Sequence, residues 1–267
     1  FDSGYGGLTI LDKIRGLMPE YDYIYLGDSA RCPYGPRSFE VVYEFTLQAV
    51  SKLFELGCPL VILACNTASA KALRTIQQIN LPVIDATRRV LGVIRPTAEC
   101  IGEITRSRHV GILATAGTIK SESYLLEIHK LSPDIVVTGE ACPMWVSLVE
   151  NNEYQSEGAD YFVKQHINRL LDKDPMIDTI ILGCTHYPLL LDKIRQFTPG
   201  HIRIIAQGEY VARSLQDYLN RHPEMDARCE KGGKCRFLTT ESENKFEESA
   251  SIFLGRQDIK VESIALE

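Results

Sequence analysis

The chain has no apolar run approaching the ~20 residues that cross a bilayer as a helix. Its longest runs, such as Leu60–Ala64 and Thr179–Leu182, stop far short, so no membrane partner is expected. It also has no block of lysine and arginine. A formal charge of −6 and a pI near 5.6 argue against nucleic acid as a partner. The eight cysteines (Cys32, Cys58, Cys65, Cys100, Cys142, Cys184, Cys229 and Cys235) include no Cys-x-x-Cys. A chain of 267 residues needs no disulfide scaffold, so most of them are expected to be reduced and buried. Only Cys229 and Cys235 lie close together, and a zinc site there would need two more ligands, with His222 the single candidate nearby. No metal is therefore expected. The glycine-rich stretch Asp2–Thr9 lacks the Gly-Lys-Ser/Thr ending of a phosphate loop, and its glycine spacing does not fit a dinucleotide fingerprint. No cofactor is expected on that ground. No secretory signal is visible, and the chain opens at Phe1-Asp2-Ser3-Gly4 without Met, so the start of a first strand is expected to precede it. The expected location is cytoplasmic.

What the chain does contain is an alternation of strand and helix patterns. Hydrophobic content of 45% and charged content of 24% are ordinary for a globular protein. Strands are predicted at 23–26, 60–64, 82–85, 109–114, 134–138, 179–182, 201–205 and 236–240. Helices are predicted at 38–56, 67–79, 88–104, 119–131, 145–149, 159–171, 189–197, 209–219 and 246–254. Strands separated by helices of 10–15 residues imply parallel β-α-β units. The fold expected is α/β, with two pseudosymmetric parallel-sheet domains facing each other. The predicted division is 1–86 with a returning tail at 207–267 for one domain, and 87–206 for the other.

Two segments look like versions of each other: Leu60-Val-Ile-Leu-Ala-Cys-Asn-Thr and Thr179-Ile-Ile-Leu-Gly-Cys-Thr-His. Each is a buried-strand pattern ending in a small residue, then a cysteine, then hydroxyl or amide side chains, then a helical stretch. Either cysteine alone would pass for core, since free cysteine is among the most buried residue types. Together, Cys65 and Cys184 stand at the tips of two strands, where α/β sheets place their ligands. A helix N-terminus there is expected to favour thiolate. An acid and a base of one chemical type, on opposite faces of a carbon, suit the inversion of a stereocentre by proton transfer.

Other segments are less specific. Asp2-Ser3-Gly4 reads as a strand-to-helix turn presenting Asp2 and Ser3, with an ordinary helix cap as the plainer explanation. Gly27–Gly35 is a turn-rich loop whose Tyr34 could line a pocket, or could be loop filler. His186 could be a satisfied core histidine, but its place two residues after a candidate thiol favours acid/base work behind that thiol. Glu150 ends a predicted helix, where a solvated carboxylate is the default.

These motifs carry a resemblance. Asp2-Ser3-Gly4, Gly27-Asp28-Ser29-Ala30-Arg31 with Pro33-Tyr34-Gly35, Ala64-Cys65-Asn66-Thr67-Ala68-Ser69 and Gly183-Cys184-Thr185-His186-Tyr187-Pro188 together resemble the bacterial glutamate racemases of the aspartate/glutamate racemase family. Weaker matches at Thr115, Thr118, Ser121, Tyr124, Cys142-Pro143 and Glu150 extend it over nearly the whole chain. The resemblance implies a cofactor-independent racemase acting on glutamate between two domains, supplying D-glutamate for peptidoglycan, and it is compatible with a homodimer. It implies that Cys65 and Cys184 exchange the α-proton, assisted by Asp2, Glu150 and His186. Substrate contacts carry over to Asp2, Ser3, Tyr34, Gly35, Asn66, Thr67, Thr185 and His186. Ser147 stands where the family often has Pro, Trp145 where it often has Phe, and Asp85-Ala86-Thr87-Arg88-Arg89 replaces a more apolar stretch, all outside the chemical motifs. Aspartate-specific members carry Glu after Cys-Thr, where this chain has His186. A binding protein on the same scaffold would lose a thiol, and a thiol redox protein would want a resolving cysteine close by.

Overall fold

The structure, a computed structural model, describes residues 1–255 and 259–266. Nine strands are found among these residues: β1 (Tyr23–Gly27), β2 (Leu60–Leu63), β3 (Arg89–Gly92), β4 (His109–Ala114), β5 (Val136–Ala141), β6 (Thr179–Gly183), β7 (Arg203–Ala206), β8 (Cys235–Thr239) and β9 (Val261–Ser263). All pair in parallel, in the orders β1-β8-β9, β2-β3 and β5-β4-β6-β7. The fold is thus α/β with parallel sheets, as the alternating pattern predicts.

Phe1 and Asp2 join the first two of these sheets. The Phe1 amino group donates to Ile62 O at 2.8 Å and Ala64 N donates to Phe1 O at 2.8 Å, on the β2 side. Asp2 N donates to Leu26 O, and Asp28 N to Asp2 O, both at 3.0 Å, on the β1 side. Asp2 is thereby set between the carboxyl ends of two strands, fully buried.

The four-stranded sheet is covered on both faces, and its central strand β6 is buried along its whole length, which explains an apolar run without alternation. The helix Phe39–Glu55 shows the other period. Ser38 caps it by accepting from Val41 N, and Val42, Thr46, Ala49, Val50 and Leu53 recur at three- and four-residue spacing on its buried face. Val42, Val50 and Leu53 pack with Leu26 and Leu63, while Trp145, Ile167, Leu182 and Tyr187 form a second core around β6. Each such side chain contributes on the order of 1.5–3 kcal/mol through burial.

Several expectations change. Pro82–Asp85, predicted as a strand, instead includes a helical turn at Leu81–Ile84, with Pro82 in its first turn. A missing N–H costs nothing in that position. Arg89–Gly92, predicted inside a helix starting at 88, is β3, paired Leu60↔Arg89 through Leu63↔Gly92; the helix begins at Ile94. Pairing satisfies the backbone beside β2, and no local pattern announces it. The helix predicted over 67–79 breaks after Lys71 and passes into a π turn at Ile76–Asn80. β9 was not foreseen; it adds to β8 with Phe237↔Val261. In the tail expected at 207–267, residues 256–258 and 267 lie outside the described residues.

Candidate active site

Cys65 follows β2 through Ala64 and caps the helix Asn66–Lys71, its Sγ accepting from Ala68 N at 3.4 Å. Cys184 follows β6 directly. Because β4 and β6 end in register at Ala114↔Gly183, Thr115 and Cys184 emerge at one sheet edge. Cys65 and Cys184 line a single small cavity together with Ser3, Tyr34, Gly35, Asn66, Thr67, Thr185 and His186. Nine of the eleven predicted site residues therefore share that cavity. Asp2 and Glu150 stand behind it: Thr185 Oγ1 donates to Asp2 Oδ1 at 3.3 Å, and His186 Nε2 lies 3.0 Å from Glu150 Oε1. The approach of the two motifs depends on Gly6. A Cβ there would sit 2.3 Å from Thr185 Oγ1 and 2.5 Å from His186 Nδ1.

A larger cavity of about 260 Å³ lies elsewhere, against Ile10, Ile14, Leu53, Leu60 and Leu219. Its walls are mainly apolar and neither strand-tip thiol reaches it.

The two thiols have different surroundings. Burial, reinforced by the nearby Asp2 charge, pushes Cys65 up to about 12. This corrects the expectation that a helix end would favour its thiolate. A helix N-terminus supplies about 0.3–1 kcal/mol, less than a tenfold change in ionisation, and here burial outweighs it. On the other side, Cys184 Sγ lies 3.9 Å from His186 Nδ1. Burial alone would pull the His186 imidazole down, but its contacts with Cys184 and Glu150 outweigh that and lift it to about 10. Burial opposes ionisation of Glu150 too, yet its bond to His186 prevails and holds it below the usual carboxylate range. Burial raises Asp2, against the pull of His186 and the Gly4 and Gly7 amides. At neutral pH, then, Cys65 is a proton donor, and Cys184 sits beside an imidazolium anchored by a carboxylate.

Hydroxyls and amides complete the cavity. Thr67 Oγ1 lies 2.9 Å from Thr115 Oγ1 and 3.3 Å from Thr118 Oγ1. Asn66 is held at both ends of its amide: Nδ2 donates to Gln207 Oε1 and Oδ1 accepts from Tyr124 OH, each at 2.7 Å. The Tyr34 hydroxyl donates to Asp28 rather than into the cavity, and Gly35 O accepts from Gly117 N at 3.0 Å. That last bond ties the Tyr34 loop to the turn bearing Thr115 and Thr118.

Thr115, Cys32, Pro33 and Val146 also line the cavity and were not predicted as site residues. Thr115 belonged to the weaker motif matches and Cys32 lay within Arg31-Cys32-Pro33-Tyr34, so each carried a signal with no chemistry attached. Glu150, whose default was a solvated surface, is half-buried on His186. Trp145, outside the chemical motifs in sequence, packs edge-on against Tyr187 of the second motif at 4.8 Å. Cys229 and Cys235 join no metal cluster: among the described residues, no group of three or more His, Cys, Asp or Glu side chains could hold an ion. Among the same residues, no helix is long and apolar enough to cross a membrane.

The family model of the Asp/Glu/Hydantoin racemases matches residues 9–215. A glutamate racemase from Ruegeria sp. (strain TM1040) is 38% identical over 267 aligned residues, covering 96% of each chain. The crystal structure of glutamate racemase isoform RacE1 from Bacillus anthracis superposes with a TM-score of 0.89 at 35% identity, over 99% of this chain and 96% of that one. Glutamate racemase from Francisella tularensis, crystallised with D-glutamate, gives a TM-score of 0.87 at 30% identity over 100% of this chain and 96% of that one. With the match spanning both cysteine motifs and most of the chain, this protein belongs to the Asp/Glu/hydantoin racemase family.

Proposed function

We propose that this protein interconverts L- and D-glutamate without a cofactor, with Cys65 and Cys184 as the two acid/base groups. The observation that carries the reading is the pair of strand-tip thiols on one cavity in opposite electrostatic settings. A two-base inversion needs one group able to take a proton and another able to give one. Cys184, paired with His186, takes the α-proton of the enantiomer that presents it. Cys65, kept protonated by burial and by Asp2, delivers a proton to the opposite face. After one turnover the roles are exchanged, and the same site is ready for the other enantiomer.

The α-proton of an amino acid is a far weaker acid than a thiol, so the carbanion must be stabilised by donors already in place. The Thr67–Thr115–Thr118 hydroxyl cluster and Thr185 suit a carboxylate, and Asn66 keeps its orientation through Tyr124 and Gln207. Ser3, Tyr34 and Gly35 also line the cavity, with Asp2 behind it on Thr185. The D-glutamate bound by the Francisella tularensis relative supports glutamate as the substrate. The product would feed peptidoglycan synthesis in the cytoplasm. We take the chain as two domains, one built on β1, β2, β3, β8 and β9 and the other on β4 to β7. The passage between them follows β3 rather than residue 86, because β3 pairs with β2.

Incubating each enantiomer of glutamate and of aspartate in deuterated water, and following loss of the α-proton signal by NMR, tests this reading. Both glutamate enantiomers should exchange, and aspartate on the order of 10²-fold more slowly, since displacing a reacting atom by about 1 Å costs that much. Equal exchange of aspartate would overturn the substrate assignment. No exchange of any of the four would overturn the function.

A further inference from the structure

A third thiol borders the cavity. Cys32 is half-buried and its Sγ lies 3.0 Å from Glu150 Oε1, the same oxygen that lies 3.0 Å from His186 Nε2. Two electron-rich atoms at that separation need a proton between them, and the thiol is the group that carries it. Burial and the Glu150 charge both push the Cys32 thiol well up, so it stays a donor at neutral pH. One carboxylate oxygen thus receives both an S–H and an imidazole N–H.

An independent feature keeps this contact open. A Cβ on Gly4 would lie 3.1 Å from Cys32 Sγ and 3.5 Å from Glu150 Oε1. The turn that carries Asp2 therefore passes beside the Cys32–Glu150 pair without a side chain, and the two meet unobstructed.

We propose that Cys32 is a positioning residue: by sharing Glu150 Oε1 with His186, it tempers the hold of Glu150 on the imidazolium that faces Cys184. The inference rests on the reading of Cys184 as an acid/base group. Its consequence is a balance. An oxygen that accepts one hydrogen bond concentrates its charge on that donor, whereas an oxygen that accepts two divides it. Without the thiol, Glu150 pulls harder on Nε2–H. The ring becomes more electron-rich, and its Nδ1–H becomes a poorer donor to Cys184. With the thiol, the imidazolium is anchored while its other face stays acidic enough to hold a thiolate and to release it. Other groups near this array are Asp2, which faces His186, and Lys245, which adds a weaker pull on Glu150.

The test reads His186 directly in the free protein. The His186 Nε2–H proton is followed at neutral pH by 15N-histidine NMR and assigned by its loss in His186→Gln. In Cys32→Ala the resonance should move downfield, as the Glu150 bond strengthens. Cys32→Val, which fills the space without a donor, should do the same, so a purely steric role is separated from the hydrogen bond. Cys32→Ser, which keeps a donor, should bring the resonance back at least to the parental position. Where solvent exchange hides the N–H, the titration midpoint of the carbon-bound ring protons replaces it, moving upward in Cys32→Ala and Cys32→Val and returning in Cys32→Ser. An unmoved or upfield resonance in Cys32→Ala or Cys32→Val, or a serine variant that behaves like alanine, overturns the inference. The readout needs no turnover. A protein that exchanges no α-proton would sink the proposed function while leaving this measurement intact, and an active racemase with an unmoved His186 would sink only the role of Cys32.

Discussion

The Cys65 and Cys184 halves of the cavity look alike in sequence and differ in electrostatics. Each has a strand tip, a cysteine, a hydroxyl-bearing neighbour and a following helical turn. On the Cys65 side the nearest charge is the buried Asp2 carboxylate, so the thiol is held as a thiol. On the Cys184 side the nearest group is His186, itself anchored on Glu150. On the proposed two-thiol reading, similar backbone placement with opposite partners would give one reaction both an acid and a base from a single residue type. It also shows that a strand-to-helix turn does not by itself make a cysteine reactive, because burial overrides the modest field of a helix end.

Four experiments would break or sharpen this comparison. The largest effect is expected from Cys65→Ser and Cys184→Ser. Each should lower racemisation by roughly 10³-fold or more, since serine is a much weaker acid and base than cysteine, with the far-ultraviolet circular dichroism unchanged. Near-parental turnover in either variant would end the two-thiol reading. Next, His186→Asn removes the partner of Cys184 alone. It should cost on the order of 10²-fold in kcat with either glutamate enantiomer, measured by circular dichroism of the product. A parental kcat would show that Cys184 does not need the imidazolium beside it.

Asp2→Asn approaches the other side. Asp2 is a cause, second to burial, of the upward push on Cys65. Its neutralisation should lower the pH at which Cys65 is alkylated by iodoacetamide, followed by peptide mass spectrometry, by about one unit and leave burial to hold the remainder. The smallest effect is on stability. Folding raises His186 from an ordinary 6.5 to about 10. The stability it contributes is therefore complete below about pH 6.5 and is lost as the pH rises through about 10. Thermal melts between pH 7 and 10 should fall further for the parent protein than for His186→Asn, by several degrees. Parallel melting curves would show that His186 is not linked to folding.

Much of this site was legible from residue order. The repeated strand-Cys pattern pointed to Cys65 and Cys184, and buried strands such as Thr179–Gly183 announced themselves through unbroken apolar runs. Short-range signals of this kind survive into the structure because strand burial and helix capping depend on neighbours in the chain. Less legible were the elements set by distant partners. Arg89–Gly92 reads as helix and becomes a strand because β2 offers it a ladder, and Val261–Ser263 is a strand only because β8 is beside it.

The chemistry divides in the same way. Residue order determined which side chains stand at the strand tips, since alternation and capping are local. The ionisation of Cys65, and the partner that each thiol meets, were decided by the tertiary structure. Asp2 is 63 positions from Cys65, Glu150 is 36 from His186, and Cys32 is 118 from Glu150. Charge coupling and burial depend on distance through space and on the water excluded by packing, and neither can be read along the chain.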